Sequence, residues 1–142
     1  MEPTTPTVHD AIASLTEQIE LVASGATSSV ALVSQSLASI ARLDPELNAF
    51  VTVIGERALD EAAARDADVA AGRDLGPLHG VPIAIKDEND VAGTRTTFGS
   101  AGVTRIAEHD AELVRRLRAA GAVIVGKTTM PEFGLWPFTE SV

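Results

Sequence analysis

The chain reads as α/β: an N-terminal helical hairpin and a further helix packed on a partial parallel sheet. Three observations carry that reading. Apolar residues recur at helical spacing through the first half. Two short β-prone runs then follow between glycines, and a helical stretch separates them. With 142 residues the chain amounts to one domain at ~100–200 residues per domain. Residues 1–72 form its helical portion and 80–134 its strand–helix–strand portion.

Val8, Ile12, Leu15, Ile19 and Val22 make the stripe of a first helix, with Thr7 as its cap and Gly25 in the left-handed position past its end. Val30, Val33, Leu37 and Ile40 form a second stripe after Thr27-Ser28, ending before the turn signal Asp44-Pro45. The short link predicts that these two helices lie as an antiparallel hairpin. FVTVI (50–54) is the first strand candidate, and an Ala-rich third helix runs from Glu56 to Ala71 and closes at Gly72. A Gly/Pro-rich loop leads to the short run Ile83-Ala84-Ile85, which ends in Lys86. The stretch 87–102 has no periodicity. Asp110 then caps a helix carrying Leu113, Val114 and Leu117, which stops at Gly121 before the run AVIV (122–125). Strand, long loop, helix, strand is a βαβ unit, hence two parallel strands covered on both faces. A βα connection this much longer than the usual ~2–6 residues is where function concentrates.

Composition removes several classes of function. The net charge of −9, eight of it in residues 1–79, excludes the electrostatic footprint of a nucleic-acid binder or of a protein drawn to anionic lipid. The acidity of the first half reads as a solvated helical face. Zero cysteines exclude a disulfide framework, a thiol nucleophile and sulfur-ligated zinc. The first ten residues lack a basic n-region and an apolar h-region, so no signal peptide is expected. The AVIV run falls far short of the ~20 residues that span a bilayer. A soluble, cytoplasmic chain is the expectation.

His9, His79 and His109 show no metal-ligand spacing and read as solvated or structural. Ser14, Ser24, Ser28, Ser29, Ser34, Ser36 and Ser39 read as helix surface or caps. Trp136 and Phe138 could be pocket walls or core, with core burial the favoured expectation.

Two lysines invite three readings. GAVIVGKT (121–128) is a literal match to the phosphate-binding pattern G-x-x-x-x-G-K-[ST], but its variable positions want to be a strand and not a loop of inward-turned N–H groups. IAIK (83–86) imitates a protein-kinase strand, yet the required G-x-G-x-x-G loop is absent upstream. The third reading places Lys86 at the carboxyl end of a buried parallel strand, where sites form in open α/β sheets. A lysine there is either solvated and structural or desolvated and able to act as a base; position alone leaves both open.

The segment LHGVPIAIKDENDVAGTRTTFGSAG (78–102), the helix opened by Asp110-Ala111, and RLRAAGAVIVGKTTMPEFG (116–134) closely resemble the opening blocks of the amidase signature family. The likeness is looser before Leu78, confined to a helical start and the phrase LNAFVTV (47–53). The resemblance implies a serine hydrolase of amide bonds with a Ser–cis-Ser–Lys triad on an α/β/α fold. Lys86 stands at the triad lysine and is implied to be the neutral general base acting through a bridging serine. Phe133 and Gly134 are implied to run beside the acyl pocket. No metal or organic cofactor is implied, and the substrate would be a small-molecule amide. Glu88-Asn89 replaces the family's usual Asn-Ile after the Lys-Asp pair.

The family's two catalytic serines and its oxyanion loop lie in a GGSSGG-like block beyond the last of these residues. Ser100, at the family's TxGS position, and Ser141 do not replace them. The chain is therefore expected to be an N-terminal segment of the enzyme, inactive alone. The other reading is a truncated, non-catalytic paralogue that acts through a partner chain. Uncovered sheet edges and an apolar face would favour self-association.

Overall fold

The computed structural model describes residues 13–139. They form α1 (Leu15–Ala23), α2 (Ser29–Leu47), β1 (Phe50–Val53), α3 (Gly55–Ala70), β2 (Pro82–Lys86), α4 (Glu112–Ala119) and β3 (Val123–Thr128), followed by a 3₁₀ turn at Glu132–Gly134. The α/β expectation holds. The sheet has the order β1-β3-β2, with β3 parallel to β2 and antiparallel to β1.

The central strand explains the layering. Val123 and Val125 pack with Val33, Ala58 and Ala62 of α2 and α3. Ile124 packs with Ile85, with Val91 of the long loop and with Val114 of α4. Helices therefore cover both faces of β3, which a strand with a parallel partner requires. β2 departs from the expected full burial. It is an edge strand, and Ala84 and Lys86 are exposed.

Several predicted details change. Thr7 lies outside the described residues; α1 is capped by Ser14, whose hydroxyl and Glu17 form a reciprocal capping box. Gly25 does take the left-handed conformation, at φ 71°. The packed helix pair is α2 on α3, and not the expected α1–α2 hairpin. A tertiary cap explains why: Asp66 of α3 accepts from the backbone N–H groups of Ser29 (2.6 Å) and Val30 (3.1 Å) at the start of α2. Ser29, expected on a helix surface or as a cap, is fully buried and donates to Gly80 O at 2.7 Å.

Helix α2 also runs through Pro45 to Leu47. Proline removes one N–H, but Asp44 supplies acceptors that close the end. Its carbonyl takes Asn48 N at 2.7 Å, and its carboxylate takes Ala49 N at 2.7 Å and Phe50 N at 3.0 Å. Asp110 does not cap α4, whose N-cap is Ala111. The Asp110 carboxylate instead accepts from Ala92 N (2.8 Å) and pairs with Arg118 (2.9 Å), tying the long loop to the helix. Trp136 is 61% exposed and Phe138 is exposed beside it, contrary to the expected burial. The two rings stack on each other at 6.1 Å.

Gly126 marks the tightest point of the sheet. A Cβ there would lie 2.5 Å from Thr52 O and 3.0 Å from the Phe50 ring, so β1 must part from β3 to admit it. Gly126→Ala is expected to cost about 1–3 kcal/mol in urea unfolding. Gly102→Ala, whose Cβ would meet only Ser100 Oγ at 3.8 Å, is expected to change stability by less than about 1 kcal/mol. Equal effects of the two would contradict this account of the sheet.

Candidate functional site

The carboxyl ends of β2 and β3 lie side by side, with Ile85 opposite Lys127 and Lys86 opposite Thr128. Lys86 is the last residue of β2. Its side chain is 47% exposed and its Nζ lies 3.3 Å from Glu88 Oε2, itself exposed. Of the two states left open for this lysine, the described residues show the solvated one.

The next residue turns inward. Asp87 continues the ladder through its N–H to Thr128 O at 3.0 Å, and its side chain is 1% exposed. Its Oδ1 faces Lys127 Nζ at 2.7 Å. Its Oδ2 accepts from Thr97 N at 2.9 Å and from the Thr97 hydroxyl. Lys127, with a side chain 0% exposed, also donates to Arg95 O (2.9 Å) and Thr96 Oγ1 (2.7 Å). Its Nζ thus makes two hydrogen bonds and one close ion pair, while the buried Asp87 Oδ1 accepts no hydrogen bond. The phosphate-binding reading of GAVIVGKT therefore fails on structure: Val123–Thr128 is the strand and its lysine is sealed inside.

A cleft of about 140 Å³ opens beside this pair, between Val51, Asp87, Thr97, Gly99, Ser100, Ala101, Thr129 and Met130. Neither Phe133 nor Gly134 is among the residues that line it. Phe133 N donates to Phe98 O at 2.8 Å, and the two rings stack at 6.0 Å with planes 15° apart. Both phenylalanines hold positive φ, 52° at Phe98 and 49° at Phe133. For a bulky residue that conformation costs of order 1–3 kcal/mol and persists only where the surroundings impose it. Gly134 follows at φ 70°, where an added Cβ would meet no atom within 4 Å.

The sequence singles out Lys86, Phe133 and Gly134 but gives no role to Asp87, Thr96 or Thr97, and Lys127 stands out in it only within a phosphate-binding pattern that its strand-like residues argue against. The available signal was a lysine ending an otherwise apolar strand, which needs a buried anion. His79 is buried and bonds Arg65 O through Nε2 at 2.9 Å, and His109 is exposed. His9 lies outside the described residues. Among the described residues no group of three His, Asp or Glu could hold a metal ion, and no helix is long and apolar enough to cross a membrane.

The Amidase family model matches residues 31–142. The candidate amidase AmiA2 of Mycobacterium tuberculosis is 52% identical over 126 residues, covering 89% of this chain and 26% of that protein. A glutamyl-tRNA(Gln) amidotransferase polypeptide of Rhodopirellula baltica is 42% identical over 129 residues, covering 90% of this chain and 26% of that protein. The crystal structure of native peptide amidase from Stenotrophomonas maltophilia superposes with a TM-score of 0.81 at 39% identity, covering 87% of this chain and 26% of that one. The chain thus spans about a quarter of the length of the relatives it matches.

Asp90 extends the charged network outward. Burial pushes its carboxyl up, but hydrogen bonds from Thr96 and Arg105, with the charges of Arg105 and Lys127, hold it below the usual carboxylate value of 3.8. Arg105 grips both of its oxygens, at 2.8 and 2.9 Å. A lowered folded value means stability that is fully present above pH 3.8 and is lost as pH falls through the folded value. Asp90→Asn is accordingly expected to flatten the fall of Tm below pH 3.8. An unchanged acid limb in Tm measured from pH 2 to 6 would contradict it.

Proposed function

The chain belongs to the amidase signature family, and we propose that it forms the N-terminal segment of an amide-bond hydrolase in which Lys86 is the general base. The observation that carries this reading is the place of Lys86, at the carboxyl end of β2 in the family's lysine block, next to a residue locked into the core. The neutral amine takes a proton from a bridging serine, which takes that of the nucleophilic serine. The nucleophile attacks the amide carbonyl, the amine or ammonia departs, and water releases the acid. Both serines and the oxyanion donors are expected in a Gly/Ser-rich block outside these 142 residues. Phe133 and Gly134 flank the acyl group of a small-molecule amide, and the reaction belongs in the cytoplasm.

A lysine base must shed its proton, which desolvation favours. Lys86 is here half-exposed and paired with a carboxylate, so turnover requires the remainder of the domain to cover it. Association is the second reading, a non-catalytic paralogue bound to another chain or to itself. Phe133, Leu135, Trp136 and Phe138 stand exposed in one short segment, and β1 and β2 are both edges.

The native product of the full reading frame is expected to hydrolyse a simple aryl amide, and Lys86→Ala to lower kcat by ~10²–10⁴-fold. Residues 1–142 alone are expected to give no turnover. Full activity in Lys86→Ala would remove Lys86 from the mechanism. Turnover by residues 1–142 alone that is lost in Lys86→Ala would overturn the requirement for the remainder. A monomeric chain 1–142 in sedimentation, with no exposed-surface dye binding, would remove the association reading.

A further inference from the structure

We propose that Lys127 and Asp87 are positioning residues that hold Lys86 in place, an inference that rests on the reading of Lys86 as the base. Lys86 is bracketed by β3 on both sides. The residue before it, Ile85, lies opposite Lys127 in the parallel ladder. The residue after it, Asp87, is held by the Lys127 side chain at 2.7 Å, with both groups out of contact with water. Two successive residues of β3 thus hold the chain on either side of the base: Lys127 stands opposite Ile85 and pairs with the Asp87 side chain, and Thr128 O accepts from Asp87 N.

The arrangement is more elaborate than stability requires. A buried ion pair loses hydration that its attraction only partly returns, and well-packed apolar replacements are often as stable or more so. What an apolar pair cannot supply is direction. Asp87 has two oxygens with different tasks: Oδ1 faces Lys127, and Oδ2 holds the backbone and hydroxyl of Thr97. Thr97 leads directly into Phe98, whose carbonyl and ring fix Phe133. The pair therefore sets the lysine and the expected acyl-pocket wall in one frame. Lys127 does not itself act as base or ligand, because its side chain is sealed from solvent, paired with Asp87 and hydrogen-bonded to Arg95 O and Thr96 Oγ1.

The test exploits the lysine content of residues 1–142, where Lys86 and Lys127 are the only two. In the native product, peptide mass spectrometry after brief acylation at pH 8 reads the Lys86 amine directly. Lys127→Met is expected to lower kcat for an aryl amide at least tenfold with KM within twofold, and to raise the Lys86 acylation rate at least threefold. The double variant Asp87→Asn/Lys127→Met leaves no uncompensated buried charge and serves where the single variant fails to fold. A merely structural pair predicts that the folded double variant recovers wild-type kcat and acylation rate, and that result overturns the proposal. The positioning role predicts a folded double variant that keeps both defects. Should Lys86→Ala prove fully active, the base reading fails separately, and the acylation rate in the Lys127 variants still decides whether the pair holds Lys86.

Discussion

A lysine with no access to water sets the terms for the carboxyl end of this sheet. An unpaired ammonium at the position of Lys127 would cost several kcal/mol, so the chain must deliver an anion and two neutral acceptors to that point. It does so with the residue after β2 and with the loop at residues 95–97, segments that local propensity alone would leave free. The ladder between β2 and β3 is thereby extended past the end of β2 by one backbone bond and one ion pair.

The rest of the fold delivers β3 to that point. Small residues at Ala58 and Ala62 let α3 approach one face of the strand, while Val91 and Val114 close the other. Asp66 and Ser29 tie the start of α2 to α3 and to the loop before β2. Polar side chains, more than apolar stripes, set where the helices and loops join: Asp44 ends α2, Asp66 begins it, and Asp110 joins the long loop to α4. Part of the acidity that composition presents as a solvated face, at Asp44 and Asp66, thus closes backbone groups, where each such bond contributes about 1 kcal/mol.

Elements with strong periodicity were legible in the sequence. The second stripe, the Ala-rich helix, the three β-prone runs and the parallel pairing of the last two all appear in the structure, although α2 runs on past Asp44-Pro45 and the last strand on to Thr128. What could not be read were choices made by tertiary partners. Nothing local to Asp44-Pro45 says that the Asp44 carboxylate will rescue the helix end. Nothing in a first helix beside a second says that α2 will prefer α3. The antiparallel pairing of β1 with β3 had no local signal either. At the site, Lys86 stands out by its place at the end of an apolar run, and its implied role, like those of Phe133 and Gly134, comes from the resemblance to a family. The partners that bury Lys127 have no local signal: the run 122–125 reads as a strand, but nothing near it says that Asp87 and the loop at residues 95–96 will enclose the lysine two residues further on.

The central claim is that these residues are the opening segment of an amide hydrolase whose base awaits serines from elsewhere in the same polypeptide. The intact mass of the native protein, with its reading frame sequenced past the codon for Val142, tests that claim most directly. The account predicts a product several times the 14.8 kDa of these residues, continuing into a Gly/Ser-rich block. A native product of 14.8 kDa would contradict it: Lys86 would then have no serine to serve, and the exposed aromatic segment would become the place to look for a function.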